Sequence, residues 1–409
     1  MMTGKGRNRR KLIEVWQDMT VFLFLKQIVD VLYPYRWLDY LMVFLVIFLL
    51  IYQILLVRPS VRENFTLSDG IMLFLSGFLT LSFLRNVDGY GIYFKVLSAF
   101  LMYFVGRVYY DRIQECFGAL TVSSYVIIYV NFFYRLFTTG FKFGIENAGG
   151  DLYYYDTDMA FAMILGMIFI GMFGKNKLFK FITVLFVCPY MVLNSDAGIQ
   201  KALLFVVYVL MVIYIIEKIT DKQRVANGML IVAIAALLTA VGILLLPVFT
   251  GVDMTGMLTV LDGGIFDKGN MLDRYSGWRE IWQYIESGGF INRVFGLDLC
   301  SESLHNSVLS NMNSLYIKTI YSLGYTGILL LVAFVFSIVY YVIKVKDRKT
   351  FYITVILAVM LLATGVTVSS MESTQMSWFP MMFAGMLVSS VQVEKKEMYQ
   401  EEEGSMEEI

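Results

Sequence analysis

Long apolar runs alternate with short polar segments along most of this 409-residue chain. A helix needs roughly 20 apolar residues to cross the hydrocarbon core of a bilayer, because it rises about 1.5 Å per residue. The runs are continuous and lack the period-two alternation of membrane strands. They predict an all-α polytopic membrane protein with clear spans at Leu38–Val57, Thr66–Leu84, Ile92–Tyr110, Phe117–Phe137, Asp158–Phe173, Leu178–Leu193, Ala202–Ile216, Met229–Phe249, Ile317–Ile343, Phe351–Val368 and Trp378–Val391.

Basic residues between the runs orient the predicted helices, because Lys and Arg concentrate in cytoplasmic loops. Basic clusters occupy residues 58–62, 175–180, 218–224 and 344–349. All four clusters are cytoplasmic only if the long polar segment Gly251–Ser314 lies on the outer side of the membrane. The N-terminus is also strongly basic. It is therefore predicted to be cytoplasmic, and the parity of crossings then requires one further span.

The further span must lie in residues 19–35, the one remaining apolar segment. This segment carries Lys26 and Asp30, which lie one helical turn apart and can partly neutralise each other while they face other helices. The alternative is an amphipathic helix that lies in the membrane interface. With this weak first span the chain has about 12 helices, both termini are cytoplasmic, and the long polar loop lies between helices 9 and 10.

The predicted topology divides the chain into four regions. Residues 1–250 form an N-terminal transmembrane bundle, 251–314 an extracytoplasmic loop, 315–393 the C-terminal transmembrane helices, and 394–409 an acidic cytoplasmic tail. A run of glutamates in the tail predicts a solvated, disordered end.

Composition narrows the classes of function. The chain has 33 basic and 33 acidic residues, so it lacks the net positive charge that is typical of nucleic-acid-binding proteins. Cys116, Cys188 and Cys300 are far apart, and the chain has a single histidine. Neither a disulfide framework nor a zinc site is predicted. We therefore expect no metal and no cofactor.

The single histidine, His305, lies in the long outer loop beside Asn306. Histidine titrates nearest to physiological pH and commonly serves as a general base. His305 is therefore a candidate catalytic base. The alternative is a histidine at the membrane interface that only forms hydrogen bonds.

A helix is predicted in the same loop over Ser276–Gly288, with Ser276 as its N-cap. Its apolar residues recur at helical spacing and share one face. These residues are Trp278, Ile281, Trp282 and Ile285.

Arg279 falls in the first turn of that predicted helix. A cation there is slightly unfavourable for the helix dipole but suits a phosphate bound beside free backbone N–H groups. Arg274 is a weaker candidate nearby. The alternative for Arg279 is a surface arginine paired with Glu280 or Asp273.

Other outer segments carry further candidates. Tyr154 belongs to a tyrosine-rich stretch that suits the membrane interface or a sugar platform. Asp156 and Asp158 form a DxD triplet, for which helix capping is favoured over a metal site. Lys201, at the outer end of a span, either extends toward headgroups or holds a phosphate. Glu372, in the segment before the last span, is favoured as an ordinary exposed carboxylate.

The order of these motifs resembles the O-antigen polymerase and O-antigen ligase family (Wzy/WaaL type) of lipid-linked oligosaccharide transferases. In that family the late outer loop carries an arginine–tryptophan helix, a glycine turn, an HN pair and a G-x-x-G before the next span. This chain carries, in the same order, Ser276–Arg279 with Trp282, Gly296, His305–Asn306 and Gly324–Gly327. The number of helices and the large loop after the ninth helix are also similar.

Two other segments bear on the resemblance. The stretch Tyr154–Ala160 is similar to a tyrosine- and aspartate-rich stretch that precedes a span in family members. One position departs from the family pattern, because Gln200–Lys201 stands where a Ser-Arg pair is usual. Lysine keeps the charge but lacks the bidentate fork with which arginine binds phosphate.

The resemblance implies a GT-C-like membrane glycosyltransferase that inverts the anomeric configuration without a metal. Its donor would be a glycan linked through pyrophosphate to a polyprenyl lipid, and its acceptor a sugar hydroxyl. His305 would be the base, and Arg279 and Lys201 would hold the pyrophosphate. The remaining residues implied in substrate binding are Arg274, Asn306, Glu372, Trp278 and Tyr154.

The resemblance also implies a place in the cell envelope and a set of partners. The protein would lie in the cytoplasmic (inner) membrane and act at its outer face. Its partners would be the lipid-linked oligosaccharide, the acceptor glycan and membrane lipid, with a chain-length regulator and a flippase as further partners. The favoured function is polymerisation of O-antigen-type or capsule-type repeat units. Ligase-type transfer to another acceptor and a lipid-linked oligosaccharide flippase or transporter are the alternatives.

Overall fold

The computed structural model describes residues 19–31, 36–52, 65–85, 90–139, 156–195, 197–220, 227–232, 268–297 and 313–407, with a few single positions between 235 and 250. Every regular element in this part of the chain is a helix. The helices are α1 (Thr20–Val31), α2 (Arg36–Tyr52), α3 (Leu67–Arg85), α4 (Tyr90–Val108), α5 (Tyr110–Glu115), α6 (Phe117–Thr139), α7 (Asp156–Phe173), α8 (Lys177–Ile182), a π-helical turn (Thr183–Val187), α9 (Cys188–Leu193), α10 (Gly198–Thr220), α11 (Lys268–Ser287), α12 (Phe290–Phe295), α13 (Leu315–Lys344), α14 (Arg348–Thr364) and α15 (Thr374–Glu407).

Six of the described helices are long and apolar enough to cross a membrane, and two shorter apolar helices accompany them. The protein is therefore an all-α, multi-pass membrane protein. The six long spans are Leu67–Arg85, Tyr90–Val108, Phe117–Thr138, Gly198–Thr220, Leu315–Lys344 and Thr374–Lys395, and the two shorter helices are Trp37–Tyr52 and Thr157–Phe173.

Most predicted spans coincide with observed helices to within a few residues, but three predictions need correction. The predicted span Leu178–Leu193 is not one regular helix, because the π-helical turn separates α8 from α9. The acidic tail is not disordered throughout, because α15 continues to Glu407. The predicted span Phe351–Val368 ends early, at Thr364. Most of the predicted span Met229–Phe249 lies outside the described residues.

Helix α1 packs inside the bundle. Met19, Leu23 and Lys26 are almost fully buried, and α1 contacts α6 extensively. Lys26 forms an ion pair with Asp30, and its Nζ lies 4.6 Å from the centroid of the Trp378 ring. The charged residues of α1 therefore face other helices rather than the surroundings. The predicted pairing of Lys26 with Asp30 on a helix-facing surface is confirmed.

Contacts between helix ends separate them into two groups. One group joins residues that the charge pattern places outside: Lys95 to Asp39, Thr374 to Asp39, Ser373 to Asp158, Arg85 to Gly296, and Arg274 to Thr367. The other group joins residues that the charge pattern places inside: Arg348 to Glu217, Lys346 and Asp347 to Glu394, and Arg107 to Asp69. We call these the outer end and the inner end of the bundle.

Helices α4 and α15 cross each other closely. A Cβ atom built on Gly385 would lie 2.0 Å from the carbonyl oxygen of Tyr103, and one built on Gly106 would lie 1.9 Å from that of Met382. Small residues at such crossings let membrane helices approach closely enough for van der Waals packing. The two glycines therefore set the spacing of α4 and α15.

We expect Gly385→Val to destabilise the protein by about 1–3 kcal/mol, because the added methyl groups would force the two helices apart. The measurement is thermal unfolding of the detergent-solubilised protein. Gly77→Val is the matched control, since no described atom lies within 4 Å of a Cβ at Gly77 in α3. Equal unfolding temperatures for the two variants would contradict the prediction.

Candidate functional site

The helix of the long outer loop packs on the outer part of α13. Trp278, Ile281 and Ile285 are buried among residues of α13, as the predicted apolar face requires. The substrate-binding role implied for Trp278 needs correction, because its side chain is fully buried and packs on α13 instead. The predicted start of this helix, however, is wrong. Helix α11 begins at Lys268, so Ser276 lies inside it and is not an N-cap.

The longer helix changes the interpretation of Arg279. Its Cα lies about three turns from the helix start. The field of free N–H groups falls off within the first turn, so the predicted phosphate site at a helix N-terminus does not exist at Arg279. The side chain of Arg279 is exposed. Any contact it makes with a substrate must therefore occur on the solvent side of α11.

Arg274, the weaker candidate, is the arginine of α11 that contacts the transmembrane bundle. Its Nη1 donates a hydrogen bond to the carbonyl oxygen of Thr367 at 2.6 Å. Partial burial lowers the pKa of Arg274 from its ordinary value because the charged form loses solvation. The neighbouring Tyr275 hydroxyl has its pKa raised to about 12 by burial. Arg274 therefore places a cation beside the turn that follows α14.

Two glycines join the end of the loop helices to α13. Gly296 and Gly324 have φ values of +75° and +67°. A Cβ atom on either glycine would lie within 2.5 Å of backbone atoms at or next to the other glycine. Gly324 interrupts α13, so the residues before it form a separate helical segment. The freed carbonyl groups find partners: Tyr321 O accepts from Leu297 N at 2.8 Å, and Ser322 O accepts from Ser82 Oγ at 2.8 Å.

A second attachment lies on the other side of the motif that carries His305. Leu315 N donates to the carbonyl oxygen of Gly365 at 2.8 Å, and Ser314 Oγ donates to the same oxygen at 3.2 Å. The first attachment is the hydrogen bond from Leu297 N to the carbonyl oxygen of Tyr321, which like Leu315 belongs to α13. The two anchoring positions on α13 are about 9 Å apart along its axis. His305 and Asn306, like Tyr154, lie outside the described residues.

Glu372 is not the ordinary exposed carboxylate that was favoured from the sequence. It forms an ion pair with Lys318 of α13, and the two side chains are only 23% and 17% exposed. Lys318 was missed by the sequence analysis. The sequence offers one sign of Lys318, which is a lone lysine in the apolar helical stretch that comes after His305–Asn306.

The Lys318–Glu372 pair stands at the rim of a cleft between α3, α4 and α13. The atom-free space in and around this cleft, open solvent included, is about 530 Å³. Its floor is apolar, and its rim carries the ion pair and three hydroxyl groups. The floor residues include Leu75, Leu79, Val96, Phe100 and Leu331, and the hydroxyl groups belong to Thr319, Ser322 and Ser369.

Lys201 lies in the first turn of α10, and its side chain is partly exposed. Ile199 packs against the cluster around Trp278, so the start of α10 lies beside the loop helix. Gln200 is fully buried, and neither amide atom has a hydrogen-bond partner among the described residues. The Lys201 cation and the unpartnered Gln200 amide thus follow directly after a residue that packs on the Trp278 cluster.

The DxD triplet lies where helix capping would place it, at the start of α7. Asp158 Oδ1 accepts a hydrogen bond from Ser373 Oγ at 3.5 Å, which ties α7 to the segment before α15. Across the described ranges, no group of three or more His, Cys, Asp or Glu side chains could hold a metal ion. Asp158 therefore contacts the segment between α14 and α15.

The chain matches no protein-family model, and no curated protein is significantly similar to it.

Proposed function

We propose that this protein is a polymerase of O-antigen-type or capsule-type repeat units, with about 12 membrane helices in a GT-C-like arrangement. It transfers a glycan from a polyprenyl pyrophosphate to a hydroxyl group of an acceptor sugar at the outer face of the cytoplasmic membrane. Both termini are then cytoplasmic. A chain-length regulator and a flippase are the expected protein partners.

One observation carries the proposal beyond the resemblance in sequence. Leu297 and Ser314, the described residues on either side of the His305 motif, are both hydrogen-bonded to the outer end of the bundle. The same end holds Arg274 and the Lys318–Glu372 pair. Residues 298–313 carry His305, and we call this segment the histidine loop. Its two attachments, two cations and a carboxylate lie around one region, as a transfer reaction at the membrane surface requires.

The chemistry needs three contributions from the protein. The acceptor oxygen forms a bond to the anomeric carbon, while the bond from that carbon to the pyrophosphate oxygen breaks and its electron pair leaves with the pyrophosphate. His305 accepts the acceptor's proton, which raises the nucleophilicity of the oxygen. Cations stabilise the charge that develops on the leaving pyrophosphate. Binding both substrates at one place removes much of the entropic cost of the reaction.

The structure changes the order of the candidate cations. Arg274 supports the proposal best, because it is partly buried and already directed at the bundle. Lys201 supports it through its place at the start of α10 beside the Trp278 cluster. Arg279 would act from the exposed side of α11, where it can meet the glycan or pyrophosphate only when substrate covers that face.

A lipid-linked oligosaccharide transporter is the second candidate. The observation that favours it is the buried Lys26–Asp30 pair, since ionisable residues inside a membrane bundle often mark a transport pathway. The pair also has a structural explanation, because Lys26 additionally donates to Thr374 Oγ1 at 3.3 Å and stacks on Trp378. We therefore place this function second.

The test is reconstitution of the purified chain in lipid nanodiscs with a synthetic polyprenyl-pyrophosphate-linked repeat unit. We expect a ladder of glycans that differ by one repeat unit, together with release of polyprenyl pyrophosphate. A single transfer to an added second acceptor, without a ladder, would indicate the ligase-type activity instead. Movement of the lipid across a vesicle membrane, without any covalent product, would overturn the polymerase proposal and support the transporter.

A further inference from the structure

The first part of α13 has two different faces. Ile317, Ile320 and Tyr321 belong to the cluster around Trp278, so this face meets the loop helix α11. Lys318 and Ser322, one turn apart, line the cleft on the other side. This helical segment thus separates α11 from the cleft between α3, α4 and α13.

The cleft has the properties of a site for a lipid rather than for a soluble molecule. Its apolar floor is formed by helices long enough to cross the membrane. Leu75 lies about 15 Å along α3 from Arg85 at the outer end. The floor therefore reaches well into the depth of the hydrocarbon, whereas the polar groups are confined to the rim.

Ser322 gives an independent sign that a polar ligand group belongs in this cleft. Its side chain is 4% exposed, and Oγ has no hydrogen-bond partner among the residues that the structure describes. The neighbouring Thr319 hydroxyl, by contrast, donates to the carbonyl oxygen of Leu315 at 2.7 Å. A buried hydroxyl without a partner costs free energy, and a ligand oxygen in the cleft would satisfy it.

The ion pair at the rim restricts the kind of head group. Breaking a half-buried pair is unfavourable unless each partner receives a new one. A phosphate oxygen can replace Glu372 as the partner of Lys318, and a sugar hydroxyl can donate to the released carboxylate of Glu372. A glycosyl phosphate carries both groups side by side, whereas a simple anion would leave Glu372 unpaired.

We propose that the cleft is the acceptor site, in which the floor binds the hydrocarbon chain of a second lipid-linked glycosyl diphosphate while Lys318 and Glu372 bind its phosphate and first sugar. The assignment of this lipid as the acceptor rests on the proposed function. The donor then lies across α13, on the side of Arg274 and the histidine loop. The sugar chain of the bound acceptor then extends over this segment of α13, so that its hydroxyl reaches the anomeric carbon of the donor.

Native mass spectrometry of the full chain in nanodiscs tests the site, with undecaprenyl diphosphate carrying one N-acetylglucosamine as the probe. We expect two copies of the probe on the wild-type chain and one on Leu79→Trp, whose larger side chain fills the floor. Leu81→Trp is the matched control, because Leu81 on the same helix is 59% exposed and points away from the cleft. Two copies on Leu79→Trp would overturn the proposal.

The rim is tested with Lys318→Gln, which should weaken binding of the second probe at least about tenfold through loss of a charge-assisted hydrogen bond. Lys344→Gln, at the inner end of the same helix, should bind as the wild type does. Equal displacement of the second probe by phosphatidylglycerol would show a general phospholipid site and overturn the proposal. Thermal unfolding of each variant separates loss of binding from loss of folding.

The two proposals can fail separately. Loss of the second probe in Leu79→Trp, in a protein that never forms a glycan ladder, would refute the polymerase activity but retain the lipid site. A normal ladder from Leu79→Trp with both probes bound would refute the acceptor site but retain the polymerase.

Discussion

Replacing His305 by glutamine is expected to lower the rate of polymerisation by a factor of about 10²–10⁴. Glutamine can still form hydrogen bonds but cannot accept the acceptor's proton. The measurement is the initial rate of ladder formation in nanodiscs, and the amount of folded protein is compared by size-exclusion chromatography. The wild-type rate should also fall as the pH drops through the imidazole titration, and the variant should lose this pH dependence.

Ser303→Ala is the control for the histidine variant, because it removes a polar side chain two positions away in the same loop. It should polymerise at nearly the wild-type rate. A His305→Gln variant with the wild-type rate and pH profile would refute the role of His305 as the base. An equal loss of activity in Ser303→Ala would show that the loop tolerates no change and that the effect is not specific to the histidine.

Asp69→Asn is expected to destabilise the folded protein by about 3–5 kcal/mol, since it leaves Arg107 as an uncompensated charge in the bundle. The Asp69 carboxylate accepts from Arg107 Nε and Nη2 at 3.0 Å each and from Tyr103 at 2.8 Å. Arg107 in turn donates to Ser389 of α15 at 2.8 Å. This network therefore joins α3, α4 and α15 near the inner end.

Thermal and denaturant unfolding of the detergent-solubilised protein measures this effect. Glu115→Gln is the matched control, because Glu115 pairs with Arg112 across 3.4 Å with both side chains more than half exposed. An exposed pair contributes at most about 1 kcal/mol. Similar unfolding free energies for the two variants would mean that the buried pair is not a major part of the stability.

The positions of the membrane helices could be predicted from the sequence with good accuracy. Leu67–Arg85 and Phe117–Thr139 begin within one residue of the predicted spans, because a helix in lipid must satisfy its own backbone and present apolar side chains for the thickness of the bilayer. The Lys26–Asp30 pair was also predicted, since both residues lie on one short segment. These properties are local, and local spacing is enough to find them.

The helix of the outer loop shows where local reasoning fails. The apolar face of Trp278 and Ile281 was predicted correctly, because helical spacing is visible in the sequence. The start of the helix was predicted wrongly. Serine is a good N-cap, but it is also tolerated inside a helix, so Ser276 alone does not mark where the helix begins. The error moved Arg279 to a helix terminus that it does not occupy, while Arg274 proved to be the arginine that contacts the bundle.

The sequence by itself determined that this is a multi-pass helical membrane protein and where most of its long apolar helices lie along the chain. These follow from the cost of placing polar groups in hydrocarbon, which acts on each segment separately. Only the tertiary structure decided that Lys318 pairs with Glu372, that Gly296 crosses Gly324, and that a cleft opens between α3, α4 and α13. Such contacts join residues far apart in the chain, and their partners depend on how the helices pack rather than on the spacing within any one of them.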